Sequence, residues 1–188
     1  MRESFDESGS RTLLFGKVKI RVKKILRQIR FFASSGKESG RKKSMTRSEV
    51  LLAILAASNG RPYTPVQIQK AVFLVTKNLP NLVTQGANFG FEPYDYGPFD
   101  QSVYAEAEAL SQAGAAEITR QEGTRWNRYA ASDRGLERGA HILDSLRNRE
   151  RDYIKKVSAW VRAQTFESLV KSIYDQYPEM RVNSVFRG

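Results

Sequence analysis

Ala115-Ala-Glu-Ile-Thr-Arg-Gln-Glu-Gly-Thr-Arg-Trp-Asn-Arg-Tyr-Ala130 is the stretch on which the fold turns. Two short runs, 115–120 and 125–130, flank the polar connection Gln121-Glu-Gly-Thr124, which is the pattern of a β-hairpin. The segments on either side have helical spacing instead, so this hairpin turns an all-helical reading into an α+β one. The expected fold is α+β and predominantly helical, with a winged-helix-like core, one small β-hairpin near 115–131 and additional C-terminal helices.

Upstream, Thr46-Arg-Ser-Glu49 fits a capping box, Val50, Leu51, Ile54 and Leu55 form an apolar helical face, and Ser58-Asn59-Gly60 stops the helix. Thr64-Pro65-Val66-Gln67 opens a second helix with Pro at its first position; Ile68, Ala71, Val72, Val75 and Leu79 point inward and Pro80 closes it. A third helix spans about Gln101 to Ala113 and ends at Gly114. Three helices followed by a hairpin is winged-helix order, with Arg120, Arg125 and Arg128 giving the wing a basic character. The helix before the wing, however, carries Glu106 and Glu108 and no Lys or Arg. Such a helix is ill suited to a groove lined with phosphates. Downstream, Ser132 opens a helical region through Ile142, Leu143 and Leu146 that continues as Tyr153, Ile154, Val157, Trp160 and Val161. Thr165 caps a last helix whose Phe166, Leu169, Val170 and Ile173 point inward. The tail, 179–186, is apolar enough to pack back on the body.

Between the second and third helices lies Phe89-Gly-Phe-Glu-Pro-Tyr-Asp-Tyr-Gly-Pro-Phe99, with five aromatics, two prolines and two carboxylates. It reads as a short extended piece followed by a Tyr96-Gly97-Pro98 turn into the next helix. Its rings either plug the core or form a rigid aromatic shoulder; periodicity alone favours the first, and chemistry by itself does not choose.

The 188 residues, 40% hydrophobic, suffice for one sizeable core. Without Cys there are no disulfides, thiolate nucleophiles or Cys-based zinc sites, which suits a reducing compartment. No apolar run approaches the roughly 18 to 20 residues of a membrane span, and no secretory pattern opens the chain, so a soluble cytoplasmic protein is expected. The net charge of +11 is unevenly spread: residues 1–45 hold 13 Lys/Arg against 4 Asp/Glu, and the remainder 18 against 16. The pI therefore reports a basic extension and flexible linker, 1–44, in front of a single nearly neutral domain, 45–188. At helical spacing Leu14, Phe15, Val18, Val22, Ile25, Leu26, Ile29 and Phe32 share a face opposite seven Lys/Arg. An anionic membrane, a nucleic-acid backbone or a partner groove would suit it, and 17–23 also alternates as a strand would. Met45 stands directly before a helix start, so translation from Met1 and from Met45 both stay open; with the later start the extension is not native.

Gln67-Ile-Gln-Lys-Ala-Val-Phe-Leu74, Phe91-Glu-Pro-Tyr-Asp-Tyr-Gly-Pro-Phe99 with Val103-Tyr104, Tyr129-Ala-Ala-Ser-Asp-Arg-Gly135 and Ile173-Tyr-Asp-Gln-Tyr-Pro-Glu-Met180 resemble YwgA-type proteins. More distantly they resemble the Panacea domain of SocA-like antitoxins. The likeness covers about residues 47–186. It implies a mostly helical domain with a small β element and no established catalytic centre. For the antitoxin branch it implies binding and neutralising a partner protein, sometimes with delivery to a protease. The Tyr-Pro-Glu-Met segment follows the YwgA pattern more closely.

For an enzyme, the lone His141 lacks a Cys or a paired carboxylate beside it in sequence. Glu92, Asp95 and Asp100 are explained by turns and by an N-cap at Asp100. No phosphate loop or nucleophile motif appears, and the expectation is no enzyme, no cofactor and no metal. Two classes remain. The first is a protein-interaction module of antitoxin or adaptor type that binds a partner protein, a toxin among the candidates, through Tyr94, Tyr96, Gly97, Pro98, Phe99 and Tyr104. The alternative is a DNA-binding winged-helix regulator using Lys70, Lys77, Arg120, Arg125, Trp126 and Arg128. The basic extension adds an anionic membrane or nucleic acid as partner if it is native.

Overall fold

The structure, a computed structural model, describes residues 44–84 and 87–187. The basic amphipathic pattern expected within 1–43 lies outside the described residues. Helix α1 (Arg47–Ala56) begins at its capping box: Thr46 Oγ1 accepts from the Glu49 N–H at 3.2 Å, and Glu49 Oε2 accepts from the Thr46 N–H at 2.9 Å. Val50 through Ala56 are all buried, so α1 is covered on every side and forms the centre of the domain. Asn59 (φ 53°) and Gly60 (φ 74°) turn the chain away from it. Helix α2 (Pro65–Asn78) starts at the second capping box, Thr64 with Gln67.

Between these helices Tyr63 exchanges both backbone hydrogen bonds with Tyr129, at 2.8 and 3.0 Å. Tyr129 belongs to the hairpin expected near 115–131, formed by β3 (Ala116–Arg120) and β4 (Asn127–Ala131) in antiparallel register, Ile118 opposite Tyr129. Helix α3 (Ser102–Gln112) leads into it. The phenol of Tyr63 donates to Ile54 O at 3.0 Å and lies 2.6 Å from Ser158 Oγ, which ties α1 to a later helix through a buried hydroxyl pair.

Two expectations need correction. The piece around 92–99 is not a lone extended run before a turn but a second hairpin, β1 (Glu92–Tyr94) against β2 (Gly97–Phe99). Pro93 faces Pro98, and with no N–H on either side this pair must take a non-hydrogen-bonded position. The flanking pairs Glu92–Phe99 and Tyr94–Gly97 then form the ladder. The region 132–161 is two helices, α4 (Asp133–Asp144) and α5 (Asn148–Arg162). Ser145 Oγ donates to Ile142 O at 2.7 Å to end the first, and Arg147 with Glu150 opens the second.

Ser132 caps α4, its Oγ accepting from the Gly135 N–H at 3.1 Å. The helix then lies so close to its neighbours that a Cβ on Gly135 would sit 1.8 Å from Ala115 O, and one on Gly139 2.3 Å from Ala56 Cβ. Thr165 caps α6 (Phe166–Gln176), and a 3₁₀ turn, Pro178–Arg181, follows. The tail does pack back: Val185 N–H donates to Asp95 O at 3.0 Å. Among the described residues the fold is α+β, with six α-helices and two small antiparallel hairpins. No helix among them is long and apolar enough to cross a membrane.

Candidate functional site

The site begins inside α2, where Gln69 and Lys70 are both buried. Gln69 Nε2 donates to Asp100 O at 2.9 Å, the Asp100 N–H donates to Gln69 Oε1 at 3.1 Å, and Lys70 Nζ donates to Pro98 O at 2.9 Å. Three hydrogen bonds from two adjacent side chains thus fix the exit of β2. Burial pushes the Lys70 ammonium down from 10.5 to about 7. Asp100 completes the junction. One carboxylate oxygen takes the Ser102 N–H at 2.8 Å and the other the Gly90 N–H at 2.6 Å. The N-cap of α3 is Gln101, whose side chain makes no capping bond, so Asp100, expected as the cap, braces the start of the helix from one residue earlier.

Gly97, at φ +95°, sits directly over this clamp, where a Cβ would lie 3.3 Å from the Tyr174 ring and 3.6 Å from Lys70 Cε. Held in this way, the hairpin spreads its aromatics into two groups. Tyr94 packs on Phe99 (5.0 Å between centroids), Phe99 on Tyr104 (5.9 Å), and Tyr104 stacks on Tyr129 (5.6 Å). Tyr96 instead meets Phe166 edge-on at 5.0 Å, and Phe166 meets Phe186 at 6.1 Å.

Of the six residues expected to bind a partner, Tyr94 and Tyr96 are exposed, at 54% and 40%. Phe99 and Tyr104 are half-buried within the ring row, and burial raises the Tyr104 phenol to about 12. Gly97 and Pro98 are buried, and their part is to shape the turn rather than to meet a partner directly. Phe166, expected to point inward, is 44% exposed. It shares the stripe of Leu169, Val170 and Ile173 but is the first residue of α6 and overhangs the edge of the body. Val182 and Val185, on the segment whose Val185 N–H meets Asp95 O, are also exposed and were not singled out in the sequence.

The basic residues do not converge. Lys70 is only 3% exposed and spent on Pro98 O, so its ammonium cannot meet a phosphate, which removes it from the nucleic-acid set. Lys77 is exposed in the last turn of α2. On the β3–β4 hairpin Arg125 stacks its guanidinium 4.9 Å from the exposed Trp126 ring, Arg120 Nε donates to Thr124 O at 3.4 Å, and Arg128 Nε donates to Gln121 Oε1 at 3.2 Å. Glu106, one of the two acids on α3, accepts from Ser48 Oγ on α1, while Glu108 is exposed. No protein-family model matches the chain, and no curated protein matches it.

Proposed function

We propose that this protein is a non-catalytic interaction module, antitoxin- or adaptor-like, that binds a partner protein in the cytoplasm through its aromatic surface. The observation that carries this reading is the gathering of exposed apolar side chains. Among the described residues six large ones are exposed; three of them, Tyr94, Tyr96 and Phe166, lie on the β1–β2 hairpin and the start of α6, and two more, Val182 and Val185, lie on the segment laid over them. Patches of this kind on otherwise polar surfaces mark interaction sites, and Tyr-rich ones bind at low entropic cost. The resemblance to YwgA-type and Panacea proteins supports the same class.

A second reading, a DNA-binding regulator with a winged-helix-like core, draws support from the Tyr63–Tyr129 pairing. That pairing adds a strand-like residue, placed between the first two helices, to the β3–β4 hairpin, and Arg125 with Trp126 would form the wing tip. Against it stand the burial of Lys70 and the lack of any cation on α3. The test is affinity capture by the full chain and by its Tyr96→Ser/Phe166→Ser variant, each with and without nuclease. Nuclease-indifferent capture of a stoichiometric protein that the variant loses, at unchanged melting temperature, supports the module. Nuclease-sensitive capture unaffected by the variant replaces it with the regulator.

A further inference from the structure

Residues 182–187 lie across the aromatic surface without joining a helix or a strand. Ser184 and Phe186 are half-buried while Val182, Asn183, Val185 and Arg187 are exposed, so from Ser184 onward alternate side chains face the surface, as in an extended peptide. The polar attachments go mainly to main-chain carbonyls of the hairpin, one from the segment's own N–H and the others through its Asn183 and Ser184 side chains. Val185 N–H donates to Asp95 O at 3.0 Å, Asn183 Nδ2 donates to Pro93 O at 3.1 Å, and Tyr174 OH donates to Ser184 Oγ at 2.6 Å. The one large anchor is the Phe186 ring, 6.1 Å from Phe166 and 6.3 Å from Tyr174.

These contacts have the form of peptide recognition, with main-chain acceptors at the edge of a short ribbon supplying generic affinity and one ring seat supplying selectivity. Resting on the aromatic-surface reading, we infer that segment 182–187 is an intramolecular stand-in for the partner. The site takes an extended peptide whose backbone N–H meets Asp95 O and whose aromatic side chain replaces Phe186 beside Phe166 and Tyr174. The partner engages by displacing the segment, which uncovers the Pro93 and Asp95 carbonyls, the Tyr174 hydroxyl and the Phe166 ring together. Partner affinity is therefore set partly by how tightly the protein holds its own segment.

The test uses a fluorescent peptide, Val-Asn-Ser-Val-Phe-Arg, titrated by polarisation against the full chain and its Val185→Pro variant, which lacks the N–H that meets Asp95 O. In the wild type the attached segment competes at an effective concentration on the millimolar scale, so the variant binds the peptide about tenfold more tightly. The same peptide with Ala for Phe loses binding to the variant. Equal affinity of wild type and variant, or equal affinity of the Phe and Ala peptides, overturns the inference. A variant that dimerises with concentration and ignores the peptide also overturns it and assigns the seat to a second copy. Phe186→Ala in the full chain, with the same expectation, replaces Val185→Pro if that variant does not fold. Capture that needs Tyr96 and Phe166 but is unchanged by Val185→Pro would leave the aromatic reading standing and remove only this inference. Capture insensitive to Tyr96 and Phe166 would remove the reading itself, whatever the peptide does.

Discussion

Replacing Lys70 with Met should change how stability depends on pH, more than it changes stability at any single pH. Lys70 is 3% exposed, and burial lowers its pKa from 10.5 to about 7. For a base whose folded pKa is depressed, the unfolded chain binds more protons between the two values, so stability rises with pH from about 7 to 10.5 and is flat below that window. At about 1.4 kcal/mol per pH unit, the full window amounts to on the order of 5 kcal/mol, of which about 2 kcal/mol falls between pH 7 and 9. Urea unfolding of wild type and Lys70→Met at pH 6, 7, 8 and 9 measures it. The tyrosines that burial raises to about 12, Tyr63 and Tyr104, lower stability only near and above pH 10, and they do so equally in both proteins. The variant also loses the bond from the neutral amine to Pro98 O, a cost of about 1 kcal/mol, and the strengthening of that bond on protonation is already contained in the folded pKa. The stability difference, wild type minus variant, should therefore climb by about 2 kcal/mol from pH 7 to 9. Parallel curves across that range would show that Lys70 stays protonated in the folded protein and would refute the reasoning.

Gly135→Ala should cost about 3 kcal/mol or more, because its Cβ meets the Ala115 carbonyl at 1.8 Å and a backbone atom cannot give way; thermal unfolding reads this directly. Gly139→Ala, whose nearest obstacle is the Ala56 methyl at 2.3 Å, should also destabilise, and Ala56→Gly in the same chain should recover part of the loss. Tyr63→Phe should cost about 1–3 kcal/mol by leaving Ile54 O and Ser158 Oγ without their partner, and the Tyr63→Phe/Ser158→Ala pair should cost less than the two singles summed. Thr64→Ala, which removes the cap of α2, should lower stability by about 1 kcal/mol in chemical denaturation.

What the sequence made legible was local. The two capping boxes, the Ser132 and Thr165 caps and the 116–131 hairpin depend on residues a few positions apart, and they form where their spacing places them. The β1–β2 hairpin was missed because proline in both runs argues against a ladder, and only the pairing of Pro93 with Pro98 makes that composition compatible with one. Lys70 was misplaced for a different reason. A lysine on a helix is ordinarily solvated, and its acceptor lies 28 residues away, beyond any periodic pattern. Half of the aromatic surface was visible as Tyr94 and Tyr96. The other half comes from Phe166 and the 182–186 segment, which meet the hairpin only through the tertiary fold.

The clamp formed by Gln69 and Lys70 has a consequence for the thermodynamics of recognition. A three-residue ribbon alone in water would sample many geometries, and a ligand would have to select one of them. Here the ribbon is anchored to the side of a fourteen-residue helix, so its orientation is that of the helix and little ordering is left for the moment of contact. Association at Tyr94 and Tyr96 should thus carry little entropic penalty for ordering the ribbon itself. Loosening the clamp from inside the helix would weaken binding without altering a single atom on the contacting face.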